Sequence, residues 1–449
     1  METLLEQPAV KALQDLVNRS EWAGQVWLVG GCVRDALLNR KLSGDFDLVL
    51  EGDSIALAQW LGENGAKHLA TYPRFGTAMV RLSHAQFEFV SARRESYVPS
   101  SRKPQVESGT LLDDARRRDF TCNALMVNLK DGRLMDLVGT GLEDLRDRML
   151  RTPLDPRQTF FDDPLRMLRA IRFRHQLSFE YAPGLTDSIK DEAHRLQSIS
   201  AERIRDEFSK MVCYPEALRE MCAFGLMPYI MPEVLDMHGV EQGKWHHLDV
   251  WDHTLLVIAN AASNDLILNL SCLLHDVGKP STRTIDEKGD TRFFSHEVVG
   301  AEMSRMILRR LRYDNETIDA VSLLVKNHMR LSSAPKLSAP AARRLIRDLD
   351  DQLERLILLV DADARALKPG VKTINAPAIY AQIQEVSAQT PAATIKSPIS
   401  GQEVMAILGL PPGPTIGEAM RFLTEQVIEG HLPPDDLEAA RQMLTEWKS

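Results

Sequence analysis

The stretch GDFDLV, residues 44–49, sets Asp45 and Asp47 one residue apart inside an apolar run. Aspartate is depleted in strands, so a strand that carries two needs a reason. Side chains alternate along a strand, which sends Asp45 and Asp47 to one face and Phe46 and Leu48 to the other. Two neighbouring carboxylates repel each other. A cation, a raised pKa or solvent at an edge relieves that repulsion. Taken alone, the pair reads most simply as the polar face of a half-buried strand. The rest of the chain has to make the case for a metal.

Working outward, the flanking sequence alternates strand and helix signals. QVWLV (25–29) reads as a strand and GGCVRDALLN (30–39) as a turn into a helix. DFDLVL (45–50) is a strand and SIALAQWLGENG (54–65) a helix. TAMVRL (77–82) and FEFVSA (87–92) are strands joined by a hairpin-like turn near Ser83–His84. Residues 1–150 therefore form a small α/β or α+β module. From about Asp162 the patterns turn helical, as in DPLRMLRAIRFRHQL (163–177) and ERIRDEFSKMV (202–212), with no strand pairs expected. PYIMPEVLDMHGVEQGK (228–244) has turn chemistry and closes this second region, 151–240. Another helical block, 241–370, carries most of the histidines. After ALKPGVKT the composition shifts to Pro, Thr, Ser and Ala up to residue 400, which reads as a linker or loosely packed arm. Residues 371–449 are then a linker and a helical tail, where Thr415 is a candidate N-cap with Glu418 three residues on.

At 449 residues the chain is too long for one ordinary core. A hydrophobic share of 44% beside 26% charged residues is the balance of a soluble globular protein, with no membrane-length apolar run. Five cysteines without a CxxC pair fit a reduced cytoplasm and argue against a thiolate zinc site. The net charge of −9 argues against a general nucleic-acid coat protein. Residues 91–180 nevertheless hold 17 Lys+Arg against 14 Asp+Glu, mostly arginines, which suit bidentate phosphate and base contacts.

Three further segments gain meaning beside the acid pair. In LVGGCVRD, Gly30 and Gly31 sit between a strand end and a helix start, where backbone can approach a phosphate closely. The 14 residues from Gly31 to Asp45 are enough for the next strand to lie beside the first, so that turn and acids share a sheet edge. Glu88 is a candidate third acid from a neighbouring strand, or simply a solvent-facing residue. In LLDDARRRDFTCNAL, Arg117, Arg118 and Asp119 precede an expected helix, with Asn123 one turn after Asp119. Arginines can grip phosphates, and Asp with Asn can hold ribose hydroxyls. In FDDPLRMLRAIRF, Asp163 and Arg166 stand three apart on a helix, an acceptor beside a forked donor that can read a base edge. Asp163 before Pro164 is also good helix-start chemistry.

The ordered series GG-x-x-RD, D-x-D, RRDFTxNA and DDPLRxLRAIRF closely resembles the class II tRNA nucleotidyltransferase and bacterial poly(A) polymerase family, over roughly residues 25–180. The resemblance implies an α+β fold. A polymerase-β-like nucleotidyltransferase head, a mixed sheet with helices, would be followed by an all-α neck and body, a further helical domain and a tail. It implies template-independent addition of CCA to tRNA 3′ ends, by attack of the tRNA 3′-hydroxyl on the α-phosphate of CTP or ATP. Asp45 and Asp47 would bind the catalytic Mg²⁺. Gly30, Gly31, Arg34 and Asp35 would shape the nucleotide pocket. Arg117, Arg118, Asp119 and Asn123 would hold triphosphate and ribose. Asp163 and Arg166 would select the base, with Arg169 of the same motif also at the nucleotide. The family's usual Glu-Asp before the proline is Asp162-Asp163 here. RRESYVPSSRKPQVESGT (93–110) falls where the family has a flexible loop that helps switch from C to A addition.

A second constellation lies in DVWDHTLL and CLLHDVGK: His253, then His275 and Asp276. Adjacent His-Asp after an apolar helix, with an earlier histidine, resembles the HD metal-dependent phosphohydrolase superfamily over about residues 246–366. Imidazole and carboxylate ligands suit a divalent ion: Mg²⁺, Mn²⁺, Ni²⁺ or Zn²⁺. His296 and His328 are further candidates, and the family pattern favours Asp363 over Asp361 as the last ligand. The activities implied are phosphatase, 2′-nucleotidase or 2′,3′-cyclic phosphodiesterase. Other readings stay open: a poly(A) polymerase, a CC-adding or A-adding enzyme, or a phosphohydrolase whose head only binds tRNA. A non-catalytic RNA-binding protein fits poorly with two sets of metal-ligating residues.

Overall fold

The computed structural model describes residues 2–96, 105–331, 337–371 and 373–447. The chain forms two compact units, Met1–Met211 with Arg219–Tyr229, and Val212–Leu218 with Ile230–Ser449.

The first unit is built on a mixed seven-stranded sheet. Its strands are β1 (Val26–Val29), β2 (Asp45–Leu50), β3 (Lys67–Tyr72), β4 (Thr77–Leu82), β5 (Ala85–Ser91), β8 (Met126–Asn128) and β9 (Leu134–Met135), in the spatial order β3-β4-β5-β2-β1-β8-β9. The short strands β6 (Arg93–Ser96) and β7 (Gln105–Ser108) pair separately. They flank residues 97–104, so the core of the expected switching loop lies outside the described residues. β2 is central. It runs antiparallel to β1, with Val29 opposite Asp47, and parallel to β5, with Asp47 opposite Glu88. Ser83 and His84, both at positive φ, close the expected β4–β5 hairpin.

Along β2 the first half alternates as the sequence suggests: Asp45 and Asp47 are exposed and Phe46 is buried. The second half is buried on both faces. There Val49, on the acids' face, joins a core with Trp27, Val29, Ala92, Ala115, Ala124 and Met126. The acids thus stand at the polar end of a strand that is otherwise inside the sheet.

The remainder is mostly helical, with two departures from the expected all-α pattern. β10 (Met149–Leu150) pairs in parallel with β11 (Glu180–Tyr181). β12 (Arg283–Ile285) and β13 (Thr291–Phe293) form a hairpin. Strands of two or three residues are too short to show a period. The hairpin is set by its turn, where Asp286 Oδ1 accepts from Lys288 and Asp290 backbone amides at 3.0 and 2.9 Å.

The expected linker is also corrected. A 14-residue helix, Ala376–Gln389, occupies most of it and buries Ile379, Ile383 and Val386 on one face. Asn375 caps it and a proline opens it. The Pro/Ser/Thr/Ala composition masked that apolar spacing. In the tail, Thr415 is not the cap: the helix Pro414–Glu429 begins one residue earlier, behind Gly413. The capping box lies instead at Ser400 and Glu403, on the helix Gly401–Leu408.

Candidate functional site

In the first unit, β1 ends at Gly30, whose φ of 80° favours glycine. A side chain there would come within 3.3 Å of Asp47 Oδ2 and 3.5 Å of Arg118 Nη1. The glycine turn, the acid pair and one arginine therefore converge at one point, as the spacing suggested. Asp47 is reached by solvent, yet neighbouring protein atoms crowd its carboxyl. Loss of water raises its pKa, Arg118 opposes that rise and Asp45 adds to it. Burial and then Asp47 push up Glu88 as well. This is electrostatic demand for a cation: two acids disfavoured as anions until positive charge arrives.

Arg117 and Arg118 are held by Asp114, a residue the sequence reading passed over. Asp114 is fully buried on the helix Leu111–Arg116. It pairs with Arg117 through Oδ1, and with Arg118 Nε at 3.0 Å through Oδ2. Burial alone would raise its carboxyl, but Arg118 and Arg117 overcome this and hold it below the usual range. Its signal was readable: an aspartate with arginines three and four residues on.

Asn123 and Asp119 do meet, but on a single 3₁₀ turn, Thr121–Asn123, rather than on the expected helix. Asn123 Nδ2 donates to Asp119 Oδ1 at 3.0 Å. Arg34, itself buried and bidentate to Asp35, donates to Asn123 Oδ1 at 2.8 Å. The other Asp119 oxygen takes Arg169 through Nε at 2.8 Å and Nη2 at 2.5 Å. Burial would raise the Asp119 carboxyl, yet Arg169 and Asn123 draw it down to about 2. Beyond Arg169 stands Glu207, buried and bonded to Arg172 Nε at 2.6 Å. Asp35, Arg34, Asn123, Asp119, Arg169 and Glu207 are thus one continuous network, buried at Arg34, Asn123, Asp119 and Glu207 and half-buried at Asp35 and Arg169.

Asp163 and Arg166 do not bond to each other. Asp163 lies in extended backbone just before the helix Leu165–Leu177 and accepts from Arg203 Nη2 at 2.8 Å. Arg166 Nη2 donates to the Arg117 carbonyl at 2.6 Å. That bond links the DDPLR segment to the Arg117–Arg118 pair, which the sequence could not show. Arg203 was also missed, because its partner lies 40 residues away.

In the second unit, all six HD-type candidates come together. One group, His253, His275 and Asp363, and another, Asp276, His296 and His328, each have ligand atoms within 4.8 Å of one another. Asp276 faces both groups. Its Oδ2 is 3.1 Å from His275 Nε2 and 3.7 Å from His253 Nε2, and its Oδ1 is 3.5 Å from His296 Nε2. The Nδ1 atoms of His275, His296 and His328 bond to the carbonyls of Cys272, Phe293 and Val325 at 2.8, 2.8 and 2.6 Å. These bonds require Nδ1–H and leave the Nε2 lone pairs pointing inward. His253 Nε2 and His275 Nε2 are buried without a hydrogen-bond partner. Orphaned imidazole nitrogens beside two carboxylates fit a divalent ion. Asp361 pairs with Arg365 at 2.9 Å, so of the two it is Asp363 that stands with Asp276 at this centre, its Oδ1 3.0 Å from His253 Nε2. Lys279, which the sequence reading did not single out, donates to Asp276 Oδ2 at 2.7 Å.

Three family descriptions match the chain: the poly A polymerase head domain over residues 26–151, a probable RNA and SrmB-binding site of polymerase A over 178–237, and the HD domain over 246–367. The chain is 34% identical over 440 residues to an A-adding tRNA nucleotidyltransferase of Deinococcus radiodurans, covering 94% of this chain and 95% of that one. The chain belongs to the tRNA nucleotidyltransferase family. A CC-adding member of that family from Thermus thermophilus is 32% identical, covering 94% of this chain and 93% of that one. A crystal structure of the Bacillus stearothermophilus CCA-adding enzyme in complex with CTP matches with a TM-score of 0.72 at 21% identity, covering 98% of each chain. This likeness agrees with the fold: a tRNA nucleotidyltransferase with a mixed-sheet head and a mainly helical remainder.

Proposed function

We propose that this nucleotidyltransferase adds C, C and A to tRNA 3′ ends from CTP and ATP, without a nucleic-acid template. The observation that carries the reading is the convergence of Asp45, Asp47, the Gly30 turn and Arg118 at one end of β2. Family membership supports a divalent ion at the acid pair, and Mg²⁺ is the one we assign. Bound there, Mg²⁺ would supply Lewis acidity at the α-phosphate and at the attacking tRNA hydroxyl. The chain's own groups do the positioning. Gly30, without a side chain, leaves room for phosphate against backbone. Arg117 and Arg118, aimed by Asp114, take the triphosphate charge. The Asp119–Asn123–Arg34 network keeps the pocket wall rigid and sets Arg169. Asp163 and Arg166, steered by Arg203 and the Arg117 carbonyl, would meet the edge of the incoming base. Asp163→Ala is expected to relax choice among CTP, ATP, GTP and UTP by about tenfold more than it slows turnover. Equal loss on all four nucleotides would overturn that role.

The working division is a head (1–150), a neck that reads base and RNA (151–240), an HD domain (241–370) and a tail (371–449). The three family matches and their order support it. For the HD centre we propose phosphohydrolase activity on phosphate esters at RNA ends, with a divalent ion held by the six ligands. The orphaned imidazoles support that reading. A cytoplasmic site of action accords with five free cysteines, and no helix among the described residues is long and apolar enough to cross a membrane.

The test is addition with Mg²⁺ to tRNAs ending at the discriminator base, at C and at CC, each with CTP, ATP or both, read at single-nucleotide resolution. Growth to CCA on all three supports the proposal. Stopping at CC, or extending only the CC form, makes it a CC-adding or A-adding enzyme. A long A ladder makes it a poly(A) polymerase. No addition leaves the HD centre as the working enzyme and the head as a tRNA binder.

A further inference from the structure

Phe173 stands among three arginines. It lies on the helix Leu165–Leu177 of the first unit and is 5% exposed. The guanidinium carbon of Arg172 is 4.1 Å from the centre of its ring, that of Arg34 is 4.9 Å away and that of Arg169 is 5.3 Å away. Arg169 and Arg172 share the helix with Phe173, whereas Arg34 comes from the helix Gly31–Leu37, behind the glycine turn. Phe120, which follows Asp119 directly, meets the same ring at 86° with the centres 5.7 Å apart. One ring therefore touches both arginines that bracket the Asp119–Asn123 pair. Each arginine also has polar partners. Arg34 donates to Asp35 and Asn123, Arg169 donates to Asp119, and Arg172 donates to Glu207 at 2.6 Å and to the Gln176 side chain at 2.9 Å. Those bonds engage the N–H edges of the guanidiniums and leave their flat faces. Like charges crowded together repel: burial lowers the Arg172 pKa, Glu207 opposes that and Arg169 adds to it. An aromatic face carries negative charge and attracts a cation within about 6 Å of its centre, most strongly away from water. A leucine would fill the same space and offer the guanidiniums no such face.

We infer that Phe173 is a positioning residue for nucleotide addition: its ring holds Arg34 and Arg169 in place, and through them the Asp119–Asn123 pair. The inference rests on the reading of that pair as part of the nucleotide pocket. Phe173 acts through the arginines and not on the nucleotide. Arg34 bonds to Asn123 and Arg169 to Asp119, so weakening the ring contact loosens the network from both ends at once. The pocket is then less ordered before substrate arrives. That costs binding in the ground state and in the transition state alike, so KM should respond and kcat should not.

The test changes the charge of the ring face and little else. In the full-length protein, Phe173 is replaced in turn by phenylalanine carrying one, two and three ring fluorines, which drain the negative face and nearly keep the shape. Addition is measured with CTP on a tRNA ending at the discriminator base and with ATP on a tRNA ending in CC, on whichever of the two the wild-type protein extends. The inference expects KM for the nucleotide to rise stepwise with the fluorine count, by about tenfold at three fluorines. It expects kcat to change by less than about twofold. Phe173→Leu should raise KM at least as far as the third fluorine does. A KM that stays flat along the fluorine series while Phe173→Leu raises it would assign Phe173 to packing alone and overturn the inference. A fall in kcat with KM unchanged would overturn it too. Asn123→Ala tests the pocket reading separately. An unchanged KM there would remove that reading and the inference with it. A raised KM there, beside a flat fluorine series, would remove only the role of Phe173.

Discussion

The two acid-bearing centres of this chain are built in opposite ways. At the head, Asp45 and Asp47 stand exposed at the end of a strand, and the nearby positive charge belongs to arginines already committed to Asp114 and Asp119. At the HD centre, His253, His275, Asp276, His296 and His328 are buried, and three of the imidazoles are locked by backbone carbonyls. The first arrangement suits a hard ion that arrives with a triphosphate and keeps much of its coordination sphere for substrate. The second suits a resident ion in a preformed cage. The difference is between an open acid pair and a preformed histidine–carboxylate cage, and it can be broken by experiment.

The largest expected effect separates the two chemistries. Asp47→Asn should lower nucleotide addition on the order of a thousandfold and leave phosphate release by the HD centre intact. His275→Asn should do the reverse. If either variant impairs both reactions equally, the centres are not independent.

Metal removal sharpens the contrast next. In chelator-treated protein without nucleotide, Mn²⁺ or Ni²⁺ at a hundred times its Kd should add about 2.7 kcal/mol to stability. That gain should vanish in His275→Asn, and Mg²⁺ acting on the head alone should add little. A thermal shift of equal size in wild type and His275→Asn would sink the idea of a resident ion at the HD centre.

The network of the head should show itself through pH. The Asp119 carboxyl is drawn from its ordinary value of 3.8 to about 2 in the folded chain. Its stabilisation is therefore fully present above about pH 4 and is lost as pH falls through about 2. Asp119→Asn should cost about 2 kcal/mol at pH 7, read from urea unfolding, and the gap to wild type should narrow toward pH 2. A gap that stays constant with pH would show that packing, not charge, carries the residue's contribution.

The smallest effect concerns aim. Asp114→Asn keeps shape but releases its hold on Arg117 and Arg118. It should raise KM for CTP by about tenfold while changing kcat less. A fall in kcat with KM unchanged would mean that the two arginines act in the transition state alone.

Local pattern made most of the head legible. The period of two in the first half of β2 and the glycine pair before a helix follow from residues close in sequence and came out where the pattern put them; the arginine-rich motifs did so only in part, since Asn123 lies on a 3₁₀ turn and Asp163 pairs with Arg203 rather than standing beside Arg166 on a helix. The order H…HD…H…H…D was legible in the same way. What failed had too little local signal. The strands β10 to β13 are two or three residues long, and the helix Ala376–Gln389 hid its apolar face in a Pro- and Ser-rich composition.

The sequence by itself determined the kinds of chemistry this protein carries. Carboxylates one residue apart on a strand do not declare a metal site alone; the ordered motifs around them, and the ordered histidines and aspartates further on, gave the family resemblance that implies one. Only the tertiary structure decided how those groups are held and what surrounds them. Asp114 and Glu207 aim arginines, Arg203 meets Asp163 across 40 residues, Asp276 faces both ligand groups, and Trp245 with Phe294 lines the HD cavity. The physical reason is range. Backbone periodicity acts over a few residues, whereas ion pairing, burial and ring exposure depend on which distant segments the fold brings within a few ångströms.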